Sequence, residues 1–88
     1  MKSDMASWRV YILRCADGTL YTGVTNNLAR RLAAHAAGTA SKYTRSRLPV
    51  TLCWSKAMRS RSAALKREAK IKSLSRAEKL QIFLSSRA

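Results

Sequence analysis

The 88-residue chain carries 18 Lys and Arg against 4 Asp and Glu, a formal charge of +14, and 47% of its residues are apolar. That apolar content argues against disorder and the length against more than one domain, so the chain reads as a single domain over 1–88 with its core over about 7–85. A positive charge this large opposes compaction by self-repulsion. A polyanion is therefore the economical partner, nucleic acid first and an anionic membrane surface second.

The opening MKSDMAS holds no apolar stretch for a signal peptide, and strand-like sequence from Trp8 leaves no room for a transit peptide. No run approaches membrane-spanning length, so the expectation is a cytoplasmic chain that does not engage a membrane. Residues 8–14 alternate, with Trp8, Val10 and Ile12 on one face and Arg9, Tyr11 and Leu13 on the other. Residues 19–24 alternate likewise, Leu20, Thr22 and Val24 against Tyr21 and Gly23. The intervening Ala16-Asp17-Gly18 decides how the two strands meet. A two-residue loop would pair Tyr11 with Val24 and send the tyrosines to opposite faces. A three-residue loop with Gly18 left-handed pairs Tyr11 with Gly23 and Leu13 with Tyr21. It alone gives one consistently apolar face, Trp8, Val10, Ile12, Leu20, Thr22 and Val24, and it is preferred. Both tyrosines then share the other face, with open space at Gly23 opposite Tyr11.

Asn26 or Asn27 caps a helix running to about residue 37, ended by Gly38, with Leu28 and Leu32 as its buried stripe. Arg31 and His35 lie one turn apart at the edge and middle of that stripe, while Arg30 points outward. A basic loop, TASKYTRSRLP, leads to a third strand over 50–58, then helices over about 62–74 and 76–85. This order predicts an α+β domain with a small three-stranded antiparallel sheet flanked by helices. Cys15 and Cys53 lack metal-ligand spacing and read as buried or half-buried free thiols.

Acids are scarce enough to weigh one by one. Asp4 lies near the chain start, Asp17 in the turn, and Glu78 on the last helix between Arg76 and Lys79. Glu68 falls between Ala64, Leu65 and Ile71 on the apolar arc of its helix, opposite Lys66, Lys70 and Ser73. It reads either as a buried partner for an arginine or as a carboxylate held to bind a divalent cation. Tyr11, Tyr21, Arg31 and His35 each have ordinary structural readings, but their spacing allows a joint one on the sheet face and the adjoining helix.

The order Val10-Tyr11 (opening VYIL), nine residues, Tyr21-Thr22-Gly23, seven residues, Arg31 resembles the GIY-YIG nuclease signature, the two short stretches being its halves. The resemblance continues through NNLARRLAAH, KYTRSRLPV and ALKREAKIKSL and is closest to the small single-domain YhbQ-like bacterial members. It implies a metal-dependent phosphodiesterase cleaving nucleic acid with one Mg²⁺ or Mn²⁺ ion. DNA is favoured over RNA, in repair or recombination. In that resemblance Tyr11 matches the tyrosine proposed as general base, and Tyr21 the one that orients the nucleophile or phosphate. Arg31 matches the arginine on the scissile phosphate, His35 a histidine of several branches, and Glu68 the metal-holding glutamate. Arg9 replaces the glycine of the family name, and Val24 replaces a lysine of some excision-repair relatives, a role Lys42 could take over. Lys42, Tyr43, Arg45 and Arg47 of the basic loop, with Lys72, are the expected nucleic-acid contacts, Tyr43 also serving to anchor the loop. Trp54 reads as core. With no targeting domain in view, specificity is expected to be low, structure-based or supplied by a protein partner.

Chemically, phosphodiester cleavage needs charge stabilisation at phosphorus and an activated water. An unperturbed tyrosine, with a pKa near ~10, is a poor base at neutral pH. Either Tyr11 acts with help from nearby charge, or His35 is the base and Tyr11 positions water. The rival class is a non-catalytic nucleic-acid-binding module on the same fold.

Overall fold

A computed structural model describes residues 8–87. Asp4 and the MKSDMAS opening lie outside the described residues. Strands β1 (Arg9–Arg14), β2 (Leu20–Thr25) and β3 (Thr51–Ala57) form one antiparallel sheet in the order β2-β1-β3. Helices α1 (Leu28–Ala36), α2 (Lys42–Arg45), α3 (Arg61–Lys72) and α4 (Arg76–Arg87) complete the α+β fold. The stretch expected to be a basic loop thus contains a short helix. Ser41 caps it by accepting from the Thr44 backbone N–H, the bond that satisfies a helix's first orphan donors.

The hairpin adopts the three-residue loop. Cys15 N–H donates to the Thr19 carbonyl and Gly18 N–H to the Cys15 carbonyl. Gly18 sits at φ +85°, a left-handed conformation that glycine takes without a Cβ penalty. Asp17 ties the turn by accepting from the Thr19 backbone and hydroxyl. Those bonds first, and then the Arg47 charge, hold its carboxyl below the usual range. The resulting register pairs Tyr11 with Gly23 and Leu13 with Tyr21.

Val10 and Ile12 are fully buried and join Ile71 in the main core, against which Leu20, Val24, Trp54, Met58, Ile82 and Phe83 pack. The apolar face read from the alternation is therefore the core face, and Trp54 belongs to it. The opposite face of β1 is equally covered, for Tyr11 and Leu13 are also buried. Two expectations about helices change. Leu65 is exposed rather than apolar-arc core, and in α1 the buried residue is His35, while Leu28 and Leu32 are half-buried. Glu78 has a capping role: its carboxylate accepts from Ser75 N–H while Ser75 Oγ accepts from Glu78 N–H, a reciprocal box at the start of α4. Cys15 and Cys53 are free thiols, buried and half-buried respectively. No described helix is long and apolar enough to cross a membrane.

The space at Gly23 is not open; the Tyr11 phenol fills it. A Cβ on Gly23 would stand 2.5 Å from Tyr11 Oη and 2.7 Å from its Cζ. Overfilling a packed site of this kind costs about 1–3 kcal/mol. Gly23→Ala is expected to lower the urea midpoint by a corresponding amount, and an unchanged midpoint would show that the ring moves aside freely.

Candidate active site

The site face of the sheet is set by the hairpin register. Tyr11 is central in β1, and Tyr21 lies two positions along the paired strand from Gly23, so both rings rise from one face with centroids 6.5 Å apart. Helix α1, capped by Asn27 through its bond from Arg30 N–H, brings His35 over that face. The imidazole lies 5.8 Å from the Tyr11 ring and 5.3 Å from the Tyr21 ring, edge-on to both.

A buried chain of polar groups runs through this cluster. Tyr11 Oη is 2.9 Å from His35 Nε2, and His35 Nδ1 is 2.9 Å from Thr44 Oγ1. Thr44 Oγ1 in turn donates to the Ser41 carbonyl at 3.4 Å. A carbonyl can only accept, so this arrangement makes the threonine oxygen an acceptor for Nδ1–H. It leaves Nε2 unprotonated, facing the phenol O–H. Tyr11, His35 and Thr44 are all fully buried. Burial foremost, then the adjacent Tyr21, pushes the Tyr11 phenol well above its ordinary range. The Arg31 charge works against that rise and the Glu68 charge adds to it. Burial first, then the Arg31 charge, pushes the His35 imidazole below its ordinary range, so the ring is neutral at pH 7.

Arg31 is exposed on α1, and its charge acts on both Tyr11 and His35. Glu68 comes from α3, which packs on β2 and β1. Its side chain is 20% exposed and its carboxylate pairs with Lys72 at 3.3 Å. The wheel reading that separated it from surface ion pairs therefore holds only in part, since Lys72 one turn on reaches back to it. The described residues contain no group of three or more His, Cys, Asp and Glu side chains able to hold a metal. A single half-buried carboxylate does suit Mg²⁺ or Mn²⁺. Such ions keep several waters and take one or two carboxylates together with substrate phosphate oxygens. Glu68 is the residue that would hold such an ion, and its carboxylate is paired with the exposed ammonium of Lys72.

The expected nucleic-acid contacts divide. Lys42 and Arg45 are exposed on α2. Arg47 is engaged within the chain: it pairs with Asp17 at 3.1 Å, donates to the Tyr43 carbonyl and lies 3.9 Å over the Tyr43 ring. Tyr43 stacks on Tyr21 with centroids 5.9 Å apart, so it anchors the α2 segment to the site. Lys72 has Glu68 as its partner. Thr44 is the site residue that sequence reasoning passed over. The Ser41 cap two residues into the basic stretch was the available signal that a helix turn would aim Thr44 inward. Arg9 lies on the same sheet face as Tyr11 and donates to Ser55 Oγ at 3.2 Å, so the residue standing in the glycine position of the motif is held in place.

The sequence model described as the GIY-YIG catalytic domain matches residues 7–81. A UPF0213 protein of Natronomonas pharaonis is 59% identical over 70 residues, covering 80% of this chain and 82% of that one. Another, from Desulfotalea psychrophila, is 48% identical over 97% of this chain and 78% of its own length. Among solved structures, a UPF0213 protein from Bacillus halodurans matches with TM-score 0.56 and 44% identity over 85% of this chain and 80% of that one. An E. faecalis protein matches with TM-score 0.62 and 38% identity, over 90% and 84%.

Proposed function

Because this chain belongs to the GIY-YIG catalytic-domain family, a family of nucleases, we propose that it is a metal-dependent endonuclease that hydrolyses phosphodiester bonds in DNA, in repair or recombination. The observation that carries this reading is the buried Tyr11–His35–Thr44 chain, with the charges of Arg31 and Glu68 both acting on its phenol end. A purely structural role for these groups would not call for an arginine and a carboxylate whose charges both reach the same phenol.

In this mechanism the Arg31 guanidinium binds the non-bridging oxygens of the scissile phosphate and stabilises the charge that builds in the transition state. Tyr11 Oη accepts a proton from the attacking water while its own proton passes to His35 Nε2. The water oxygen forms a bond to phosphorus, the bond to the leaving oxygen breaks, and the leaving alkoxide takes up a proton from solvent. Thr44 Oγ1 accepts from Nδ1–H before and after the transfer, so the ring keeps its orientation as it becomes charged. Tyr21 packs against both Tyr11 and His35 and limits where water can stand. A divalent cation, when bound by Glu68, supplies Lewis-acid stabilisation of the phosphate charge. The relay joins the two alternatives for the base: the phenol touches the water and the imidazole stores the proton.

The test is direct incubation with plasmid, branched and single-stranded DNA and with RNA, in Mg²⁺ or Mn²⁺ and in EDTA. Cleavage of at least one DNA substrate that EDTA abolishes is the expected result. Salt-sensitive binding without cleavage of any substrate would overturn it in favour of a non-catalytic binding module.

A further inference from the structure

A cleft of about 210 Å³ opens beside α1, lined by Thr25, Asn26, Asn27, Arg30, Arg31 and Ala34. Apart from Ala34 its lining is polar or cationic. Arg31 forms a wall of this cleft while its charge also acts on Tyr11 and His35, so this one residue links the cleft to the site. Successive residues on a helix point about 100° apart. Arg30 therefore extends the cationic surface away from the reacting centre instead of duplicating Arg31.

Neither guanidinium has a counter-ion within the described chain. The three described carboxylates are all occupied elsewhere: Asp17 by Arg47, Glu68 by Lys72 and Glu78 by the Ser75 backbone N–H. Two arginines sharing a polar cleft with no internal anion, in a chain of net charge +14, call for an external one. We propose that this cleft is a second phosphate subsite, in which Arg30 binds the phosphate adjoining the one that Arg31 holds on the same nucleic-acid strand. This rests on the endonuclease reading above. The planar fork of arginine matches two phosphate oxygens at once. The subsite fixes the path and direction of the strand through the site, as phosphate contacts do, without reading its sequence.

The experiment is metal-free equilibrium binding of a fluorescent DNA duplex across a salt series, for the wild-type chain, Arg30→Gln, Arg30→Lys and Arg59→Gln. Arg59 is an exposed arginine between β3 and α3, outside the cleft. Each neutralised phosphate contributes about −0.9 to the slope of log Kobs against log salt. Arg30→Gln is expected to bind roughly tenfold more weakly at low salt, with a slope shallower by about one. Arg30→Lys should keep the slope, and Arg59→Gln should keep slope and affinity. Wild-type binding with Arg30→Gln unaltered, or with Arg59→Gln equally impaired, overturns the subsite alone. A wild-type chain with no salt-dependent DNA binding overturns the functional reading along with it.

Discussion

Glu68→Gln is expected to reduce metal-dependent cleavage by roughly 10²–10⁴-fold while leaving the fold and metal-free DNA binding intact. A Lewis-acid contribution of several kcal/mol corresponds to this range at 1.36 kcal/mol per tenfold. The amide keeps the shape of the side chain but is a far poorer ligand for a hard cation than a carboxylate. The competing explanation is that Glu68 serves only as the helix partner of Lys72. An i,i+4 pair with an ammonium 56% exposed contributes only about 0.3–0.5 kcal/mol, so its loss would barely move the melting temperature and would not touch the rate. Lys72→Met separates the two. It removes the ion pair and keeps the carboxylate, and it is expected to retain cleavage with an unchanged or lower metal requirement. Glu68→Gln cleaving at the wild-type rate would remove Glu68 from the site.

Why Glu68 could be singled out from sequence, and Thr44 could not, is a matter of how far each signal depends on tertiary placement. Glu68 sits in a long helix, where 3.6-residue periodicity assigns a face without knowledge of the partner element. The hairpin was legible for a similar reason: strict alternation in both strands admits one register that keeps Val10, Ile12, Leu20 and Val24 together, and Gly18 supplies the turn that register needs. Thr44 instead lies on a four-residue helix whose direction is fixed by the Ser41 cap, the Tyr43–Tyr21 stack and the Arg47–Asp17 pair. The Ser41 cap is a local signal, but it marks only where the turn starts, and neither of the other two contacts follows from local pattern. The same limit explains Gly23. Its pairing with Tyr11 was predictable, but that the phenol would bend into the vacated space to meet His35 depends on where α1 docks. Arg47 and Lys72 read as free cations because composition reports charge and not pairing, and two of the few acids claim them.

Tyr11→Phe is expected to slow cleavage by roughly 10²–10⁴-fold, the usual range for a positioned acid–base group. It should also destabilise the fold by about 1–3 kcal/mol, because His35 Nε2 loses its buried hydrogen-bond partner. The two losses share one cause and can be told apart by the pH profile of the wild-type chain. If the phenol passes its proton to a neutral imidazole, the rate depends on His35 being unprotonated. The imidazole's pKa is lowered in the folded chain, by burial and by Arg31. The profile should therefore show an acid limb whose midpoint falls below the ordinary histidine value of about 6.5, and a plateau from neutral pH upward. Stability has the same sign: the unfolded chain protonates His35 at a higher pH than the folded chain. The contribution of the neutral ring is thus complete above about 6.5 and is lost as pH falls through the window beneath it. Free ionisation of Tyr11 as the activating step would give a different curve. With the phenol pushed well above its ordinary range, the rate would climb throughout the alkaline range with no plateau. Thr44→Val, which removes the acceptor for Nδ1–H, should lower the plateau while Tyr11 stays in place. A rate that rises steadily through pH 9, or a Thr44→Val variant indistinguishable from wild type, would assign the proton to a path that bypasses His35.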